Sequence, residues 1–189
     1  MKKTSLPILL IVALGIAILP ACGGGSSSSS PPFQPTSAVL TLSTAITGTI
    51  PATASITSYD VTIELPTGVT VKTMPAPNSS ETGTGVVIAS GSATGAAIAG
   101  VYTAATGTSP GTVKVYVESG GGFSAGEFCK VNVNITAGYS PTASSFVQPT
   151  FILPPDGDGA LGIDSTDPLH PSTVTLTNEL SLAVTAVVQ

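Results

Sequence analysis

The 189-residue chain has no arginine and no tryptophan, one histidine, two cysteines, and charge on only 8% of its residues. Each scarcity closes off a class of chemistry. Without arginine there is no planar fork to grip phosphate, and five scattered lysines make no basic patch, so nucleic-acid binding is excluded. One histidine and two cysteines are too few for a zinc site. His170 lies between Pro168 and Pro171, and nothing in its local sequence marks a partner serine and carboxylate for nucleophilic catalysis. Glu64, Glu118 and Glu127 could be counted toward a glycosidase pair, but the strand pattern gives them ordinary outward or strand-end positions. With no recognisable catalytic constellation, the expectation is a non-catalytic chain without a cofactor.

What is present begins with a short cationic start, Met1-Lys2-Lys3-Thr4, and an almost unbroken apolar run from Leu6 to Leu19. That run is shorter than the ~20 apolar residues that span a bilayer, but it suits a secretory signal. Leu19-Pro20-Ala21-Cys22 follows, then Gly23-Gly24-Gly25, five serines and two prolines. The four residues ending in Cys22 resemble the lipobox of bacterial lipoproteins, with Pro20 departing from the usual small or aliphatic residue. The resemblance implies cleavage before Cys22 and attachment of lipid to its sulfur and freed amine. Two or more acyl chains anchor stably, at ~0.8 kcal/mol per buried methylene. Gly23 in the next position, rather than Asp, implies sorting to the outer membrane in a Gram-negative host. The expected organisation is a signal peptide over 1–21, a lipidated, flexible Gly/Ser/Pro tether over 22–37, and one folded domain over 38–189. Loss of Lys2 and Lys3 leaves three lysines against ten carboxylates, a formal charge of −7.

The folded part alternates with period two. Tyr59, Val61, Ile63 and Leu65 oppose Asp60, Thr62 and Glu64, and Val113, Val115 and Val117 oppose Lys114 and Tyr116. Cys129, Val131, Val133 and Ile135 oppose Phe128, Lys130, Asn132 and Asn134, which predicts a buried Cys129 thiol serving as a small hydrophobe. Further strands are expected at 39–42, 69–71, 86–89, 97–102, 145–151, 173–176 and 180–188. Short strands punctuated by Gly, Pro and Ser-Gly turns predict an all-β, jelly-roll-like antiparallel β-sandwich of about nine strands.

Two blocks, SYDVTIELPTGVTVKT (Ser58–Thr73) and GTVKVYVESGGGFSAGEFCKVNVNI (Gly111–Ile135), resemble the cohesin-type domain. That family pairs an early Tyr-Asp-Val strand and turn with a later strand that ends in Gly and Glu before an alternating apolar run. The likeness implies a jelly-roll sandwich, related in shape to cellulose-binding modules, that takes a dockerin-like protein partner. Pro66-Thr67-Gly68 stands where the family usually has an Asp, and no dockerin-contact residue transfers by motif. A carbohydrate-binding module is the alternative, with polysaccharide as partner. Its usual aromatic platform is thin here, Tyr116 being the outward strand aromatic.

One polar concentration remains, DGDGALGIDSTD from Asp156 to Asp167. Against a calcium-binding EF-hand loop, Asp156, Asp158, Asp164 and Asp167 fall at positions 1, 3, 9 and 12. Ala160 and Leu161 break the pattern at positions 5 and 6, which makes the four aspartates weak calcium candidates in what reads as a solvated acidic loop. The anchor has the sharpest consequence. Cys22→Ala is expected to abolish lipid attachment and leave unprocessed or mislocalised precursor. Intact mass of the wild-type mature N-terminus checks this, and a free, unlipidated Cys22 there would contradict it.

Overall fold

A computed structural model of the chain describes residues 33–189. The signal segment, Cys22 and the tether up to residue 32 lie outside the described residues. The rest forms an all-β antiparallel sandwich with eleven strands in two sheets: β1 (Ser37–Ile46), β2 (Ala54–Leu65), β3 (Val69–Thr70), β4 (Val87–Ala89), β5 (Ala97–Thr103), β6 (Gly111–Phe123), β7 (Glu127–Ile135), β8 (Thr150–Phe151), β9 (Ala160–Asp164), β10 (Ser172–Thr175) and β11 (Leu180–Val188). Sheet A runs β11-β1-β7-β3, with β4 also on β7, and sheet B runs β10-β9-β2-β6-β5, with β8 also on β2. Three single-turn 3₁₀ helices interrupt the connections. Among the described residues no helix is long and apolar enough to cross a membrane.

Alternation builds the core as the sequence predicts. Ala38, Leu40 and Leu42 of β1 and Cys129, Val131, Val133 and Ile135 of β7 face inward from sheet A. Tyr59, Val61, Ile63 and Leu65 of β2 meet them from sheet B with Val113, Val115 and Val117 of β6. Each such side chain removed from water contributes about 1.5–3 kcal/mol. Cys129 is a buried free cysteine, and burial pushes its thiol up to about 12.

Departures from strict alternation have local causes. The ladder of β1 and β7 pairs Leu42 with Cys129 and then Ser43 with Glu127, so Phe128 is an extra residue in β7. The bulge turns Phe128 into the core beside Cys129, not outward as its parity predicts. A second bulge leaves Thr57 unpaired in β2, which puts Ile56 and Tyr59 on one face despite odd spacing. Ser119–Gly122 loops out of the ladder between Glu118 and Phe123. Gly122 holds φ +71, a conformation glycine adopts without steric cost, and a Cβ there would lie 2.7 Å from the Ser55 hydroxyl. The strand expected at 145–151 shrinks to β8 after a 3₁₀ turn at Ala143–Ser145.

These bulges deliver an aromatic cluster. The Tyr59 ring lies 4.6 Å from Phe128, 5.1 Å from Phe123 and 6.4 Å from Phe151, all tilted. Its hydroxyl meets that of Thr44 at 2.8 Å, and Thr44 also accepts the Gly126 N–H at 3.3 Å. Thr44 continues the inward series of β1 as its polar member, so this bond crosses from one sheet to the other. Burial raises the Tyr59 phenol to about 12, with the Thr44 bond opposing in part. Tyr59→Phe and Thr44→Val are each expected to cost about 1–2 kcal/mol in urea unfolding. The double variant should cost less than the two together, because removing both partners leaves no orphaned hydroxyl. Strict additivity would show that the hydroxyls do not support one another.

Candidate functional site

The outward rows of sheet B follow from its register. Ser58 of β2 pairs with Glu118 of β6, which pairs with Ala97 of β5; one row along, Asp60 pairs with Tyr116 and Tyr116 with Ala99. The two alanines are short, so the sheet is low beside Tyr116, and a groove of about 430 Å³ opens there. Ser58, Asp60, Tyr116, Glu118 and Asp158 line it with Leu161. The next row pairs Thr62 with Lys114, which puts one cation beside the carboxylates.

Asp60 sits where β2 changes partner. Its flank pairs with β8 at Val61 and Thr62, and with β9 from Ala54 to Tyr59. Between these, the Asp60 backbone accepts the Ile152 N–H at 2.8 Å and donates to Gly159 at 2.7 Å. The Asp60 carboxylate accepts the Asp158 N–H at 2.8 Å. A Cβ on Gly157 would lie 3.0 Å from that carboxylate and 2.9 Å from Ile152, so only glycine lets the connecting segment pass so close. Burial raises the Asp60 carboxyl above its ordinary value. The Asp158 N–H pulls it back, and the charges of Asp158 and Glu118 push the same way as burial.

The acidic segment is not one loop. Its centre is β9, paired with β2 on one side and β10 on the other. Five extended residues cover roughly 17 Å, so Asp156 and Asp158 stand before one end of the strand, with Asp164 at the other end and Asp167 beyond it. The weak calcium candidates are therefore not brought together, and the oxygens of Asp164 and Asp167 have other partners. Asp164 accepts from the Thr53 hydroxyl at 2.6 Å and from the Thr166 hydroxyl and N–H at 2.7 and 3.0 Å, which hold its carboxyl below the ordinary range. Asp167 contacts His170 Nδ1 at 3.0 Å and accepts the Leu169 N–H, and its carboxyl is likewise lowered. Both members of the His170 pair are exposed.

Glu64 is exposed on β2, Glu118 belongs to the groove, and Glu127 pairs with Lys130 at 3.5 Å on sheet A, so the three glutamates considered from sequence are not gathered at one site. The sequence reading missed Asp60 and its junction with Asp158. The outward parity of Asp60 carries the signal, but the turn-like composition of Ala160–Asp164 hides β9 in the sequence. No protein-family model, curated protein or solved structure matches the chain.

The raised Asp60 carboxyl fixes the sign of a pH effect. The folded state holds this proton more tightly than the unfolded chain. The contribution is fully present below the unfolded pKa and is lost as pH rises through the raised folded value. Asp60→Asn stays neutral and keeps an acceptor for the Asp158 N–H. It is expected to melt above wild type near about pH 7, the gap closing toward about pH 3. Thermal melts at both pH values check this, and a gap that widens on acidification would contradict it.

Proposed function

We propose that this chain is an envelope-tethered, non-catalytic interaction module of cohesin-like type that binds a protein partner on the outer face of sheet B. The observation that carries the reading is the convergence of Asp60, Glu118 and Asp158 around Tyr116 in one shallow groove on a rigid sheet. An open groove on a sheet suits a protein surface or an extended segment better than a small substrate that must be enclosed. Three carboxylates beside one aromatic ring complement a partner carrying lysine or arginine with an apolar neighbour, since the cation can meet both the carboxylates and the ring face. The lipobox-like Cys22 and the tether support display of the module at the envelope, and the two cohesin-like blocks contain Asp60, Tyr116 and Glu118.

A second reading is favoured by one observation. Tyr116 stands between Asp60 and Ala99 in its row, an aromatic face with a hydrogen-bond acceptor beside it, as a polysaccharide-binding module would use. Salt separates the two, because charge-led protein binding weakens as ionic strength rises while stacking on sugar changes little. The Glu118→Gln, Tyr116→Ala double variant is expected to lose about tenfold or more in affinity for its partner from envelope extract. Wild-type capture should fall with added salt. Capture by insoluble polysaccharide that ignores salt would favour the second reading, and capture unchanged by the double variant would remove this face from consideration.

A further inference from the structure

Three of the four sheet edges are blunted. In sheet A the edge beyond β7 consists of β3 and β4, two and three residues long. In sheet B the β5 edge is covered by the segment at 80–82, which donates from Thr82 N–H to Gly100 at 2.9 Å and accepts the Tyr102 N–H on Ser80 at 2.7 Å. The β10 edge is four residues long and follows Pro168 and Pro171. The fourth edge, β11, is nine residues, LSLAVTAVV, with no proline, no charge and no bulge in its ladder with β1. Folded proteins ordinarily guard such an edge with lysine, proline or a covering segment.

The direction of its free groups follows from its end. Gln189 donates to Ser37 at 2.8 Å and accepts the Ser37 N–H at 3.2 Å, so its main chain faces β1. In an antiparallel ladder the main-chain groups alternate sides. Ser181, Ala183, Thr185 and Val187 therefore face β1, and Leu182, Val184, Ala186 and Val188 present N–H and C=O to the other side, which is open among the described residues. The 3₁₀ turn at Ala143–Ser145 approaches β11, but among the described residues no hydrogen bond from it reaches that side. The inward side chains of Leu182, Val184, Ala186 and Val188 are only half-buried, as befits a core left open along this edge.

Charge selects the occupant. Asp60, Glu64, Glu118 and Asp164 lie on strands of sheet B, and Asp156, Asp158 and Asp167 lie in its connections. In sheet A the charged strand residues are Glu127 and Lys130, which pair with each other, and neither β1 nor β11 carries any charge. Two copies of an acidic chain that met through sheet B would press carboxylates together, whereas at β11 they meet without electrostatic cost. We propose that β11 is a self-association edge: two copies pair β11 to β11, antiparallel about a two-fold axis, joining their A sheets into one continuous sheet. Opposed Leu182, Val184 and Ala186 then complete one another's cover, an isologous contact that closes at two copies. This is independent of any partner on sheet B.

The test is sedimentation of the full-length chain in density-matched detergent. The wild-type chain is expected to be a dimer. Thr185→Lys places exposed like charges across the two-fold axis and should weaken self-association about tenfold or more. Val184→Pro removes an N–H on the open side and none from the ladder with β1, and should do the same. Mixing Thr185→Lys with Thr185→Glu should restore the dimer, an outcome that a merely misfolded variant cannot give. A monomeric wild-type chain, a dimer indifferent to both variants, or a loss that mixing does not repair would each overturn the proposal.

Discussion

The hydrogen bond between Tyr59 and Thr44 joins the two halves of this sandwich at a place where neither hydroxyl can find water. Hydrophobic contact alone is non-directional and would let two sheets of valine and leucine slide over one another. A buried phenol is tolerated only where its hydroxyl is met, so this pair favours one alignment of β2 over β1. The bulges at Thr57 and Phe128 belong to the same arrangement. One keeps Tyr59 and Ile56 on a common face, and the other brings Phe128 against the Tyr59 ring. The Ser119–Gly122 excursion lets Phe123 return inward from its far side. Three irregularities that weaken the ladders locally thus serve one contact.

Much of this was legible in the chain because period two is a strong signal wherever one face of a strand is buried. The valines of β6, the Tyr59–Leu65 series of β2 and the inward Cys129 stand as the alternation predicts. What it could not supply was the position of bulges. A bulge is set by the partner strand as well as by its own residues, so Phe128 carried outward parity and yet points in. β9 escaped for a different reason. Gly162 and the acidic flanks gave Ala160–Asp164 the composition of a turn, while its stability as a strand comes from two neighbours far off in sequence. That omission joined the four aspartates into one apparent loop, and it also hid the meeting of Asp60 with Asp158, which depends on β8 and β9 sharing the flank of β2.

The two sheets divide the chemistry of the protein. Sheet B carries most of the carboxylates, and its Tyr116 row stands on a strand paired on both sides, whereas sheet A, among the described residues, offers an uncharged strand with unpaired main chain. A partner recognised by side-chain charge and one recognised by strand addition would therefore occupy different layers and need not compete. The same division accounts for the sparse charge of the chain. Ser, Thr and Ala on the outward positions of β1 and β11 keep that surface soluble enough to exist without giving it a sign.

Tethering would bear on these two surfaces unequally. A lipid at Cys22 would confine every copy to one plane, where the encounter of identical chains gains the effective concentration that a linker gives to two joined modules. Confinement would then strengthen the pairing that sedimentation reads in solution. The folded part begins beside the open edge, for Thr36 and Ser37 both donate to Gln189 at the end of β11. The described residues thus begin in the sheet whose edge would pair, while the acidic face belongs to the other layer. Edge-to-edge pairing in sheet A would present two such faces at once, and a partner with repeated basic segments would bind the pair more tightly than either copy alone, provided that its spacing matched.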